Sequence, residues 1–141
     1  MKNNPFIGTG VALITPFNDD YSVDYQSLKN IVDYTLQNGA DFLVALGTTS
    51  EAPTMNAEEK AKVVKTIVET TNGRCPILLG IGGNNTSALI DIIRNQDFKG
   101  IDGILSVVPY YNKPNQRGMK AHFLHVADVS PVPVVLYNVP G

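Results

Sequence analysis

An α/β chain of parallel strands joined by crossover helices, supplying about half of a TIM-type (β/α)8 barrel, is the fold this sequence predicts. Two observations predict it. Five apolar runs recur about every thirty residues, and they are unbroken rather than alternating, as strands covered on both faces must be. Polar or glycine-rich segments follow three of the runs directly: Gly47-Thr48-Thr49-Ser50-Glu51, Gly80-Ile81-Gly82-Gly83-Asn84-Asn85 and Pro109-Tyr110-Tyr111-Asn112-Lys113-Pro114. The fifth run ends in Tyr137-Asn138-Val139-Pro140-Gly141. Chemistry placed repeatedly at the carboxyl ends of parallel strands is how such a barrel builds an active site.

The elements follow in order. Val11 to Ile14 is the first strand, closed by Thr15-Pro16, after which Asp24 is placed to cap a helix burying Leu28, Ile31, Val32 and Leu36 until Gly39 stops it. Asp41 to Leu46 is the second strand. Past its polar loop, Asn56 and Glu59 have the spacing of a capping box for a helix burying Ala61, Val64, Ile67 and Val68, with Gly73 as its stop. Pro76 to Leu79 is the third strand, and Asn85 or Thr86 caps a helix carrying Leu89, Ile90, Ile92 and Ile93. Gly103 to Val108 is the fourth, followed by a helix with Met119, Phe123, Leu124 and Ala127; Pro133 to Tyr137 is the fifth. No linker or low-complexity tract interrupts the pattern, so residues 1–141 read as one domain.

Composition excludes several classes. A chain of 141 residues with 43% hydrophobic content is of single-domain size. A net charge of −2, with no basic run interleaved with aromatics, speaks against nucleic acid or an acidic membrane as partner. Cys75 is the only cysteine, which rules out an internal disulfide and fits a reducing compartment; it reads as a small apolar residue ahead of a strand. Met1-Lys2-Asn3-Asn4-Pro5 lacks a signal core and no run is long enough to span a membrane, so a cytoplasmic location is expected. His122 and His125 lie three apart on the fourth helix but have no third ligand in view, and read as exposed or interfacial residues. Glu58, Glu59 and Lys62 read as a solvated helix face.

Periodicity leaves an open doubly wound sheet as an alternative, in the form of a flavodoxin-like module binding a phosphorylated small molecule at Gly80 to Asn85. Chemistry weighs against it. A dinucleotide fingerprint belongs after the first strand, where Thr15-Pro16-Phe17 stands, and the sixth position of a GxGxxG pattern begun at Gly80 falls on Asn85. The loop holding Thr48 and Thr49 offers hydroxyls and backbone N–H groups that could grip a small carboxylate. Tyr111 and Tyr137 add phenols at two further strand ends. In a parallel barrel these ends face one cavity, so Thr48, Tyr111 and Tyr137 could form a hydroxyl chain that shuttles protons.

Gly10-Val11-Ala12-Leu13-Ile14-Thr15-Pro16-Phe17, Gly47 to Thr54, Pro109 to Pro114 and Tyr137 to Gly141 together resemble the dihydrodipicolinate synthase (4-hydroxy-tetrahydrodipicolinate synthase) family, and the resemblance spans all 141 residues. The family is one of pyruvate-dependent Schiff-base aldolases on a (β/α)8 barrel. The resemblance implies condensation of pyruvate with L-aspartate 4-semialdehyde on the diaminopimelate route to lysine, with no metal or organic cofactor. It implies a proton relay of Thr48, Tyr111 and Tyr137, with Tyr137 the general acid/base, and Thr49 holding the pyruvate carboxylate. It further implies a homotetramer built as a dimer of dimers, in which Tyr111 serves the neighbouring subunit.

Departures from the family pattern carry expectations of their own. The family's imine lysine lies past the tyrosine matching Tyr137, beyond Gly141, as does the arginine that follows the Tyr137 to Gly141 motif. Of the eight lysines here, Lys29, Lys60, Lys62, Lys65 and Lys120 fall on helices, Lys2 on the amino-terminal tail, Lys99 at a helix end and Lys113 in a loop. None lies in a strand, where burial would leave a free amine near neutral pH, so this segment alone is expected to be inactive. Ser50 stands where glycine is usual. Lys60 and Ala88 replace the histidine and glutamate of lysine-inhibited members, which speaks against feedback control. N-acetylneuraminate lyase and keto-deoxy-sugar aldolases share the barrel and the imine lysine, but Thr48-Thr49 with Tyr110-Tyr111-Asn112 favours the lysine-pathway enzyme.

Overall fold

The computed structural model describes residues 4–139. Met1, Lys2 and Asn3, and the Pro140-Gly141 end of the last motif, lie outside the described residues. Five strands, β1 (Gly10–Ala12), β2 (Phe42–Ala45), β3 (Ile77–Gly80), β4 (Gly103–Val107) and β5 (Val134–Tyr137), alternate with four helices, α1 (Tyr25–Gln37), α2 (Ala57–Thr71), α3 (Thr86–Asn95) and α4 (Gln116–Val129). Every strand pair is parallel, and the order across the sheet is β1-β2-β3-β4-β5.

That order decides between the two architectures. A doubly wound sheet reverses direction part-way, as in 2-1-3-4-5, to carry helices on both faces. Here the order never reverses. Register aligns Val11 with Leu43 and Ile77, and Ala45 with Leu79, Ile104 and Val134. All of these side chains belong to the one core that also takes Leu28 and Val32 of α1, Val63 and Ile67 of α2, Leu89 and Ile93 of α3, and Val126 of α4. The opposite face carries Ala12, Val44, Leu78 and Gly103 in one register row, and Gly80, Leu105 and Val135 in the next. It bears no helix. Helices on one face and a helix-free wall on the other, with strands in sequential order, fit half a (β/α)8 barrel, and the flavodoxin-like alternative is not favoured. At the amino-terminal end of that wall the Phe6 ring packs edge-on to Phe42, with centroids 5.6 Å apart, and lies where a side chain on Gly103 would stand. Phe6 thus closes the floor.

Local chemistry sets the helix ends. Asp24 caps α1 by accepting from the N–H groups of Gln26 and Ser27, and the Ser27 hydroxyl also donates to it, which lowers its carboxyl below the ordinary range. Asn56 and Glu59 form the reciprocal capping box at α2. Asn85 caps α3 and Asn115 caps α4, each accepting from the N–H three residues on. At the end of α2, Asn72 takes the left-handed conformation one residue before Gly73, so the stop is shared between them. Lys62 sits 3.9 Å above the Tyr25 ring and links α2 to α1, a contact that the solvated-face expectation missed.

Several expected burial patterns shift. Ala61 is exposed and Val63 takes its place in the core. In α3 and α4 the predicted apolar faces are too wide: Ile92, Leu124 and Ala127 are exposed, and the buried stripe of α4 runs through His122 and Val126. Chain topology, not hydropathy, sets that phase, because α4 must lie against α3 and β4. Lys99 falls in the turn after α3 instead of at its end. Among the described residues no helix is long and apolar enough to cross a membrane.

Candidate active site

The carboxyl end of the sheet gathers the candidate residues. After β2 the chain makes two single-turn 3-10 helices, Thr48–Ser50 and Ala52–Thr54. Leu46 and Glu51, on either side of the first, adopt left-handed φ of 52° and 56°, a conformation that costs a non-glycine residue on the order of 1 kcal/mol. Ser50 is not among the left-handed positions, so the glycine usual there is not required. Its buried hydroxyl donates to the Gly47 carbonyl at 2.7 Å, beside the backbone bond from Ser50 N–H to the same oxygen at 3.1 Å. Ser50 therefore braces the turn from within, and Thr48 and Thr49 stand exposed at its open start, where backbone N–H groups lack helical acceptors.

The Gly80-Ile81-Gly82 run serves packing. A side chain on Gly82 would come within 2.6 Å of Val107 Cγ1, and one on Gly80 would strike the backbone at Leu46. These glycines let β2, β3 and β4 close together at the mouth; no phosphate cradle is needed to explain them.

Beyond β4, the loop from Pro109 to Pro114 leans on the β3–α3 loop. The Asn84 side chain accepts from Tyr110 N–H at 2.9 Å and donates to the Tyr110 carbonyl. Nearby, Thr86 at the start of α3 hydrogen-bonds His122 Nδ1 at 2.8 Å. His122 is only 5% exposed, and its Nε2 has no partner among the described residues. Burial holds its imidazole below its ordinary pKa, favouring the neutral form. The exposed or interfacial role expected of His122 is thus overturned: it lies in the seam between α3 and α4, while His125 is exposed. One is buried and the other solvated, and among the described residues no group of three His, Cys, Asp or Glu is placed to hold a metal. Cys75 is half-buried, and burial raises its thiol pKa, the state of an inert cysteine.

The three relay candidates all sit at this end of the sheet. Tyr137 is the last residue of β5, pairs in register with Val107, and by alternation belongs to the helix-free wall with Val135. Tyr111, with φ of 61°, is 92% exposed and lines a cleft of about 400 Å³ with Asn84, Thr86, Asn112, Lys113 and His122. Thr48, Thr49 and Tyr137 do not line that cleft, and no hydrogen bond joins the side chains of Thr48, Tyr111 and Tyr137. Asn84 and the Thr86–His122 pair escaped the reading of the sequence, although His122 lies four residues before buried Val126, a spacing that puts it on the core-facing stripe.

The sequence matches the Dihydrodipicolinate synthetase family over residues 5–141. The chain belongs to that family. The 4-hydroxy-tetrahydrodipicolinate synthase of Flavobacterium psychrophilum is 55% identical over 136 residues, which are 96% of this chain and 46% of that protein. The corresponding synthase of Phocaeicola vulgatus is 55% identical over 134 residues, 95% of this chain and 45% of that one. Among solved dihydrodipicolinate synthase structures, that from Thermotoga maritima superposes with a TM-score of 0.92 at 38% identity, over 98% of this chain and 46% of its own. The chloride-inhibited enzyme from Acinetobacter baumannii, complexed with pyruvate, superposes with a TM-score of 0.90 at 41% identity, over 95% and 46%. The chain thus spans a little under half the length of the dihydrodipicolinate synthases it matches.

Proposed function

We propose that residues 1–141 form the amino-terminal half of a single catalytic barrel, a 4-hydroxy-tetrahydrodipicolinate synthase that condenses pyruvate with L-aspartate 4-semialdehyde in lysine and diaminopimelate biosynthesis. The observation that carries the reading is Tyr137: a phenol at the carboxyl end of β5 on the helix-free wall, where a barrel places its reacting groups. Support comes from Leu136, an apolar residue of edge strand β5 left 58% exposed, which a following helix would cover.

In this reading an amine from the remaining half adds to the keto carbon of pyruvate, and the Tyr137 phenol protonates the departing hydroxyl so that water leaves and the imine forms. Thr48 passes the proton between Tyr137 and Tyr111, which meets solvent. Thr49 and its N–H hold the pyruvate carboxylate at the start of the 3-10 turn. The exposure of Tyr111 fits service to the barrel of a neighbouring copy, hence a homo-oligomer, a dimer of dimers. A cytoplasmic location and the absence of a metal or organic cofactor belong to the same reading. Thr48-Thr49 and Tyr110-Tyr111-Asn112 favour the lysine-pathway aldehyde over the substrates of the sialic acid and sugar-acid lyases.

Borohydride trapping tests this directly. Pyruvate with sodium borohydride should label the complete gene product at one lysine and leave residues 1–141 unlabelled, because the lysines described here lie on helices and in loops. Stoichiometric labelling of the isolated segment, or none of the complete product, would overturn the proposal.

A further inference from the structure

We infer that Asn84 is a positioning residue for Tyr111: its side-chain amide clamps the backbone N–H and carbonyl of Tyr110 and so fixes the peptide that carries the Tyr111 phenol. The inference rests on the reading of Tyr111 as a member of the proton relay, and deepens it.

Tyr111 cannot hold itself in place. Its side chain is almost fully solvated, and its φ of 61° lies in a region that a bulky residue leaves unless something restrains it. Tyr111 and Asn112 are both exposed, so burial of their side chains does not hold this part of the loop. Asn84 grips the residue immediately before Tyr111: it accepts from the Tyr110 N–H at 2.9 Å and donates to the Tyr110 carbonyl. The amide orientation is determined, since a flipped group would set donor against donor and acceptor against acceptor. Asn84 in turn stands on a rigid base. Asn85, its neighbour, caps α3 through Ala88 N–H, and Thr86 ties the first turn of α3 to His122 of α4. The loops after β3 and β4 are therefore braced together at two points, and the outer point meets the backbone immediately before Tyr111. A phenol that must sit within hydrogen-bond reach of its relay partner loses rate steeply when displaced by an ångström.

The test is a double-mutant cycle in the complete enzyme. Asn84→Ala should lower kcat on the order of ten- to a hundredfold with little change in KM for pyruvate. Tyr111→Phe should lower kcat at least as far. The double variant should be no slower than Tyr111→Phe, because a residue acting only through the phenol has nothing left to position. Asn84→Asp, which keeps the acceptor for Tyr110 N–H but sets a carboxylate oxygen against the Tyr110 carbonyl, should be no faster than Asn84→Ala. Asn84 is exposed, so the variants should fold, and faster amide exchange at Tyr110 in Asn84→Ala reports the loosened loop independently of turnover. If the two single losses multiply in the double variant, or Asn84→Ala leaves kcat unchanged while Tyr111→Phe lowers it, the inference fails and the relay role of Tyr111 stands. If Tyr111→Phe is fully active while borohydride still traps pyruvate, the relay reading fails and takes the inference with it.

Discussion

Gly80 and Leu46 meet where no side chain would fit: a Cβ on Gly80 would lie 2.2 Å from the Leu46 carbonyl oxygen and 2.7 Å from its carbonyl carbon. Gly80 ends β3, and Leu46, with its left-handed φ of 52°, begins the turn that presents Thr48 and Thr49. The contact therefore joins the packing of the barrel wall to the geometry of the turn proposed to hold the pyruvate carboxylate.

Gly80→Ala should lower stability by about 2 to 4 kcal/mol, since backbone, not a flexible side chain, must yield. Urea unfolding of the complete protein measures it. The same variant should raise KM for pyruvate, because the turn at Thr48 moves with Leu46. A variant with parental stability would show that the strand ends are looser than described.

The capping box at α2 predicts a smaller effect. Asn56→Ala removes the acceptor for Glu59 N–H while the Glu59 carboxylate keeps the backbone N–H of residue 56, and should cost about 1 kcal/mol in thermal unfolding. Asn56→Ser should recover most of that loss.

Neighbouring residues on α1 should behave in opposite ways. Val32 is fully buried in the core, and Val32→Ala should cost about 1 to 3 kcal/mol through lost burial and the cavity left behind. Asp33 pairs with Arg74, but both side chains are nearly half exposed, so Asp33→Ala should cost less than about 1 kcal/mol and less still at high salt.

His122 predicts a pH dependence of known sign. Burial lowers its folded pKa beneath the unfolded value of 6.5, so the unfolded chain binds the proton more readily. Its neutral form thus contributes stability that is fully present above pH 6.5 and lost as pH falls through the folded pKa. Denaturation midpoints measured from pH 8 to pH 5 should drop less steeply for His122→Gln than for the parent. Parallel curves would remove His122 from the account.

With Tyr137 as the proposed general acid/base, Tyr137→Phe should lower kcat by about two to four orders of magnitude in the complete enzyme. Borohydride trapping after long incubation should persist, since imine formation is slowed rather than abolished. Full activity in Tyr137→Phe would move the proton transfer elsewhere.

The sequence by itself determined the elements and their type, because each signal is local. Apolar runs such as Phe42–Ala45 and Ile77–Gly80 need no partner to be read as buried strands, and Asp24, Asn56 and Asn85 satisfy helix N–H groups within three residues of themselves. Motif spacing also placed Thr48, Thr49, Tyr111 and Tyr137 at strand ends. Only the tertiary structure decided the rest. Strand order 1-2-3-4-5 is a set of pairings between residues about thirty positions apart, and the same elements in a reversed order would have read identically along the chain. The burial of His122 depends on which stripe of α4 meets α3, and the grip of Asn84 on Tyr110 joins two loops 26 residues apart. Those relationships arise from closure of one loop against another, and closure leaves no periodic trace in the sequence.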